Sequence, residues 1–293
     1  MPTFTVPAST TNLGPGFDCL GMALGAANRI SVEAVEGGGD QAPGSGEPGL
    51  VTMAAAVRAA CSVRWGVALP GLSVRVAGTV PIARGMGSSS TILLGCAAAC
   101  QRFAGRALDK PELMDIAAAL EGHPDNVAAA CLGGFTVVAV LPGGLRWQRF
   151  AIPDDLVAVV AIPPFEVKTS AARRILPPEL SRADAVASLS RTALITAALA
   201  RARPAELNGL FDDAWHERFR ADLNPGLREA RAAAEQAGAY GTILSGSGST
   251  VLSFAARAGS AAVQEAVRAS YQARAVAAEV RILPFDNTGL CES

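Results

Sequence analysis

Apolar and polar positions along the chain fall into stretches of distinct period, and these predict the elements before any chemistry is considered. Residues 2–8 read as extended, and Ile30–Val35 and Leu72–Val76 alternate with the period of half-buried strands. Leu50–Cys61 is apolar and alanine-rich, which predicts a helix. A second apolar helix is predicted to leave a Gly-Ser loop at Gly85–Ser90 and run to about Phe103. Lys110-Pro111-Glu112 starts a third, since proline is tolerated in a first helical turn. Gly133–Val140 and Leu156–Ile162 read as strands, and Asp184–Ala202 and Pro204–Phe219 as helices. Tyr240–Phe254 reads as strand, Gly-Ser turn, strand, followed by a helix at Gly259–Ala273 and a last strand at Glu279–Leu283. Between Glu36 and Gly49 the run EGGGDQAPGSGEPG has nothing to bury and predicts a flexible surface loop.

Strands and helices mix without regular βαβ alternation, which favours an α+β architecture over a doubly wound sheet. The 293 residues suffice for one large or two ordinary domains. Pro153-Asp154-Asp155, lying between two strands, marks the expected boundary, giving units 1–152 and 153–293. No internal repeat is visible.

Composition narrows the function more by exclusion. Half the chain is apolar and 17% is charged, which is globular rather than disordered. The 25 basic and 26 acidic residues leave a formal charge of −1 with no basic block, which argues against a nucleic-acid partner. Lys110 and Lys168 are the only lysines, so a G-x-x-x-x-G-K-[ST] nucleotide loop is excluded. His123 and His216 are too few for a multi-histidine metal site. The six cysteines form no C-x-x-C pair, and Cys96 and Cys100 read as small residues of a buried helix. The first residues lack a charged n-region and an apolar h-region, and the most apolar stretch, Thr91–Cys100, falls short of the ~20 residues that span a bilayer. The expectation is a cytoplasmic protein with no membrane partner.

Three polar, turn-rich segments carry candidate chemistry. Pro81-Ile82-Ala83-Arg84-Gly85-Met86-Gly87-Ser88-Ser89-Ser90-Thr91 follows a predicted strand and opens a helix. Glycines admit close approach and positive φ, the helix start offers unpaired N–H groups and a positive dipole end, and the hydroxyls add donors. That set suits phosphate without a lysine; an ordinary serine-capped helix is the competing reading. Ser245-Gly246-Ser247-Gly248-Ser249-Thr250 is a second glycine turn, weak by itself because many hairpins look like it. Ala8 to Asp18, with Asn12 and Asp18, reads equally as a substrate clamp or a surface turn.

In this order and spacing the three segments resemble the motifs of the GHMP kinases, the superfamily of galactokinase, homoserine kinase, mevalonate kinase and phosphomevalonate kinase. Pro81–Ser89 is similar to its P-x-x-x-G-L-G-S-S, with Met86 in place of leucine. Within the superfamily the resemblance is to the homoserine kinases. Pro7–Asp18 resembles their P-A-[ST]-x-x-N-[LM]-G-x-G-[FY]-D, and Glu121–Ala128 with Gly133-Gly134-Phe135 resembles E-G-H-x-D-N-V-A-P…G-G-F. Thr169, Arg173 and Leu176-Pro177 are similar to a further block, and His216–Arg220 to H-E-P-Y-R. Ala129, Arg218 and Ser249 stand where the family carries proline, and Ser90-Thr91 where it carries alanines.

The resemblance implies an α+β fold: a domain like ribosomal protein S5 domain 2, then a ferredoxin-like domain. It implies ATP- and Mg²⁺-dependent phosphorylation of the hydroxyl of L-homoserine, a step of threonine biosynthesis, by a homodimer. It implies Glu121 with Ser88 or Ser89 as metal ligands, Pro81–Thr91 as the nucleotide loop, and Asn12, Asp18, His123, Asp125, Thr169, Arg173, Arg220 and Gly246 around the amino acid. Arg173 and Arg220 would take the carboxylate, since a guanidinium fork matches it better than an ammonium does. Asp18 and Asn12 would take the ammonium group. The superfamily's general-base position falls on Asn126, which cannot accept a proton at neutral pH, so Asn126 is expected to orient the alcohol. His216 reads as structural, capping or pairing near the pocket. Two alternatives remain: a GHMP kinase for another alcohol such as mevalonate, and a catalytically silent protein of that fold.

Overall fold

The computed structural model describes residues 1–44 and 49–293. The part of the expected 36–49 loop that is described is mostly exposed, and residues 45–48 lie outside the described residues.

The first sheet is antiparallel and is built on a long strand. β1 (Thr3–Thr11) runs along one edge of β2 (Leu20–Val35). The other edge of β2 is shared. β3 (Gly71–Gly78) pairs with Asn28–Val35 and β4 (Phe135–Leu141) with Leu20–Met22, while β5 (Gly144–Phe150) extends β4. Four helices cover one face: α1 (Leu50–Trp65), α2 (Ser88–Phe103), α3 (Lys110–Glu121) and α4 (Asp125–Leu132). Two glycines set how closely they lie. A Cβ on Gly95 would fall 2.6 Å from the Ile30 side chain, and one on Gly21 would fall 2.7 Å from the Asp125 carbonyl oxygen. Small residues there let α2 and α4 settle onto β2, so their N-termini converge at one end of the sheet.

The second sheet follows from β6 (Leu156–Ile162), which is apolar throughout because both faces are covered. Leu156, Ala158 and Val160 face the core between the sheets; Val157, Val159 and Ala161 face the outer helices. After β6 come α5 (Thr169–Arg174), α6 (Arg182–Ala200), α7 (Glu217–Arg220) and α8 (Leu227–Gln236). Then follow β7 (Gly241–Leu244), β8 (Val251–Ala256), α9 (Ser260–Ala273) and β9 (Glu279–Pro284). The sheet order β9-β6-β8-β7, or 4-1-3-2 in chain order, is ferredoxin-like. α6 has the length and composition of a membrane-crossing helix, at 19 residues and a mean hydropathy of 1.2. Its mid-helix Arg191 pairs with Asp212, however, and its buried Ile195, Ala198 and Leu199 pack into the core between the sheets.

The structure corrects the sequence reading in several places. Pro204–Phe219 is not one helix. A short 3₁₀ turn at Pro204–Leu207 ends before Gly209, which has positive φ, and the next helical turn, α7, begins at Glu217. Asp213 supports that turn by accepting from the N–H groups of Trp215, His216 and Glu217. Four helices and strands before β9 escaped the pattern, the short α5 among them. α4 is buried at all eight positions and has no polar face, β5 is a largely exposed edge, and α8 buries mainly alanines. Nor is Glu279–Leu283 the last strand. β10 (Cys291–Glu292) returns to pair with β1, and Asn287 bonds both backbone groups of Ile152.

Candidate active site

A cavity of about 320 Å³ opens where the converging N-termini of α2 and α4 meet α5, α7 and the β7–β8 turn. Its wall includes Ile82–Ser89, Glu121, Asn126, and all eight residues expected around an amino acid: Asn12, Asp18, His123, Asp125, Thr169, Arg173, Arg220 and Gly246. Three members of the expected loop lie off the wall. Pro81 precedes it, and Ser90 and Thr91 are fully buried. Thr91 turns its hydroxyl to the Ser88 carbonyl (2.7 Å) and accepts from Asn28 Nδ2 (3.0 Å).

The glycine loop is fixed from both sheets. Gly85 and Gly87 have φ of +74° and +70°, where a side chain is strained. A Cβ on Gly87 would lie 2.2 Å from Ser9 Oγ, and one on Gly85 would lie 2.1 Å from the Ser245 carbonyl. Ser9 N–H donates to the Met86 carbonyl (3.1 Å), Ser245 Oγ to Gly85 O (2.7 Å), Thr250 N–H to Arg84 O (3.1 Å) and Arg84 Nη2 to Pro164 O (2.9 Å). The loop is thereby held open at the start of α2, whose first residues, Ser88 and Ser89, line the cavity. No lysine is among the described residues of the wall.

Beside this helix start, Ser89 Oγ donates to Glu121 Oε1 at 2.5 Å. Burial holds the Glu121 carboxyl above its ordinary range, against the opposing pull of Ser89 and His123. Among the described residues no cluster of three or more His, Cys, Asp or Glu could cage an ion unaided. A hydroxyl and a carboxylate fit Mg²⁺, which takes oxygen ligands and completes its shell with phosphates and water. His123 Nδ1–H donates to Asp125 Oδ1 (2.9 Å), which also accepts the Asn126 N–H (2.8 Å). Burial alone would lower the His123 pKa, but Asp125 and Glu121 outweigh it and raise it. The Asn126 amide is oriented on both sides: Oδ1 accepts from Ser9 Oγ (2.8 Å) and Nδ2 donates to Thr11 Oγ1 (3.2 Å).

The opposite end of the cavity is charged. Arg173 grips Asp18 with a two-pronged fork at 2.9 and 2.6 Å, so two groups expected to meet the substrate separately are joined to one another. Arg220 is 2% exposed, and its donors go to neutral acceptors: Ala172 O (3.1 Å), Gly246 O (3.1 Å) and His216 Nδ1 (3.3 Å). His216 is fully buried. Because Arg220 can only donate to Nδ1, the proton of the neutral ring sits on Nε2 and goes to Gly14 O (3.0 Å). Burial brings the His216 pKa down to about 4. Glu217, also buried, accepts from the Leu244 N–H (2.7 Å) and from Arg231, which ties α7 to β7 and α8. Asn12 spends its side chain on the protein, accepting from Asp18 N–H (3.1 Å) and donating to Gly246 O (2.9 Å).

Comparison with known proteins bears on this geometry directly. Residues 50–134 match the GHMP kinases N terminal domain and residues 195–273 the GHMP kinases C terminal family. The chain is 38% identical to a homoserine kinase of Microchaete diplosiphon, over 98% of this chain and 95% of that one. It is 37% identical to a homoserine kinase of Desulfitobacterium hafniense, over 97% of each. The chain belongs to the homoserine kinase family. Solved structures carry the same fold. A homoserine kinase from Cytophaga hutchinsonii superposes with a TM-score of 0.89 at 22% identity, covering 100% of this chain and 97% of that one. A mevalonate kinase superposes with a TM-score of 0.68 at 12% identity, covering 97% and 99%.

In this homoserine kinase family member several residues that shape the cavity were not singled out from sequence. Thr11 and Ser9 hold the Asn126 amide, Met53 and Ser247 complete the wall, and Phe17 lies against both arginines. Phe17 was within reach, being an aromatic set in a polar loop. Met53 had no signal, since it sits on an ordinary apolar helix.

Proposed function

We propose that this chain transfers the γ-phosphoryl group of ATP to the hydroxyl of L-homoserine, giving O-phospho-L-homoserine for threonine biosynthesis, as a cytoplasmic homodimer. The observation that carries the reading is one cavity joining a glycine-serine helix start to a buried guanidinium, Arg220, with no carboxylate partner among the described residues. A lysine-free helix start suits phosphates; a buried unpaired cation suits a small carboxylate.

The backbone N–H groups after Gly85 and Gly87 and the hydroxyls of Ser88 and Ser89 receive the phosphates. Glu121 and a serine of the loop, Ser88 or Ser89, hold Mg²⁺, which when bound neutralises charge on the transferring group. Arg220 takes the homoserine carboxylate, with Arg173 beside it. Asp18, already oriented by Arg173, keeps lone pairs for the ammonium group, and His123 and Asp125 complete the pocket. Asn126 retains one Nδ2 hydrogen to orient the alcohol. As the alcohol oxygen bonds to the γ-phosphorus, the bond to the β,γ-bridging oxygen breaks and ADP leaves with that electron pair. The alcohol proton departs late, to a phosphoryl oxygen or to water. A loose transition state makes this tolerable without a dedicated base.

ADP release measured with homoserine, with mevalonate and with neither tests the reading. Release is expected with homoserine alone. Release with mevalonate would reassign the substrate, and none with either would leave a silent protein of this fold.

A further inference from the structure

Phe17 lies in the β1–β2 loop and lines the cavity. The backbone around it is tightly wound: Asn12, Leu13 and Asp18 have φ of +69°, +45° and +54°. A Cβ on Gly16 would lie 2.4 Å from the Leu20 side chain, and one on Gly14 2.9 Å from the Phe211 carbonyl. The loop thus presents the Phe17 ring at one place. Its centroid is 5.3 Å from the guanidinium carbon of Arg173 and 5.3 Å from that of Arg220. Trp215 stacks on it at 5.8 Å, and the His216 ring leans against it at 5.3 Å.

The two arginines differ in how their charge is met. Arg173 is neutralised by Asp18, whereas Arg220 is buried among neutral acceptors. Burial first, and then the charge of Arg173, lower the Arg220 pKa to about 10, so the cations repel yet both remain charged at neutral pH. An aromatic face is electron-rich, and it attracts a desolvated guanidinium more strongly than an exposed one.

We infer that Phe17 is a positioning residue for the substrate carboxylate. Its ring holds the guanidiniums of Arg173 and Arg220 against their mutual repulsion and sets the gap that one carboxylate bridges. This rests on the reading of the cavity as a homoserine site. The ring acts through its charge distribution, not only by filling space.

The test separates those two properties. Phe17 is replaced by leucine, by tyrosine, and by tri- and pentafluorophenylalanine, which keep the ring's shape while draining its face of electron density. Steady-state kcat and the KM values for homoserine and ATP are measured for each. Homoserine KM should rise on the order of tenfold in Phe17→Leu and stepwise across the fluorinated pair. Phe17→Tyr should stay within about threefold, and kcat and ATP KM should stay near wild type throughout. A fluorinated pair with wild-type homoserine KM, on an active wild type, overturns the inference and leaves the functional reading intact. A parallel rise in ATP KM also overturns it, since the ring would then be bracing the whole cavity. A wild type with no homoserine-dependent ADP release overturns both.

Discussion

At the α2 end of the cavity the groups offered to a ligand are chiefly backbone N–H groups and the hydroxyls of Ser88 and Ser89, with Glu121 alongside. At the α7 end they are charges held in place: the Arg173–Asp18 fork and the buried Arg220. In the proposed function each end takes an anion, and the contrast follows from what each anion brings. On that reading phosphates arrive with a divalent counter-ion, for which the α2 end offers direction and one carboxylate. An amino-acid zwitterion brings none, and the α7 end offers both signs, Asp18 beside Arg173 and the buried Arg220. The second strategy costs more, because a guanidinium must be kept out of water.

Removing the charge from the α2 end should have the largest effect. Glu121→Gln keeps the shape and should lower turnover at least ~100-fold at ordinary Mg²⁺, since a lost metal contact costs several kcal/mol. Near-normal turnover across a Mg²⁺ titration would return Glu121 to a structural role.

At the charged end, Arg220→Lys and Arg173→Lys keep the charge and lose the fork. We expect homoserine KM to rise on the order of 30-fold for Arg220 and less for Arg173, whose fork is already spent on Asp18. ATP KM should stay within a few-fold. If ATP affinity fell instead, the arginines would belong to the phosphates and the contrast would collapse.

The boundary between the ends is Asn126. Asn126→Asp would be accepted by the Ser9 and Thr11 hydroxyls but would place a new carboxylate beside the phosphates. Like charges 4 Å apart repel by about 4 kcal/mol at an effective dielectric of 20. Single-turnover transfer should therefore slow, or at best hold level; a faster variant would show that a base was wanting.

The smallest expected effect concerns the two histidines. The His216 pKa is about 4 in the folded protein, below the ordinary ~6.5, so the unfolded chain binds more protons between those values. Stability from this group is lost as pH falls from about 6.5 towards 4, at about 1.4 kcal/mol per pH unit. His123, raised, acts oppositely: its contribution is full below about 6.5 and is lost as pH rises through its folded value. Urea midpoints from pH 7 to 5 should fall less steeply in His216→Asn than in wild type. Equal slopes would mean that folding leaves the His216 pKa where it is in the unfolded chain.

The same contrast governs what the sequence could reveal. The phosphate end is local: the glycines, serines and helix start are consecutive, so their chemistry could be argued from spacing. The charged end is assembled from afar. Arg173 is 155 positions from Asp18, and Gly246 is 234 from Asn12. Taken singly, those residues look like any surface arginine or turn aspartate, and the family motifs rather than physical reasoning picked them out. The Arg173–Asp18 fork and the Asn12 brace were out of reach because motifs name residues and not their partners. Fold legibility followed burial. β6 and α2 announced themselves through apolar runs, whereas α4 lost the periodic signal by being buried all round. The single turn of α7 depends on Asp213 rather than on any helical pattern.

The pairing of β10 with β1 has a consequence for how the protein is made. A ribosome delivers β1 long before β10, so the edge of the first sheet stays open until Cys291 and Glu292 emerge. Meanwhile the row of unpaired backbone groups on β1 is a template for the wrong neighbour. Pairing Phe4 with Glu292 closes a loop that contains the whole second sheet, the kind of contact that forms late and slowly. The first sheet is therefore completed only after every strand of the second sheet has been made.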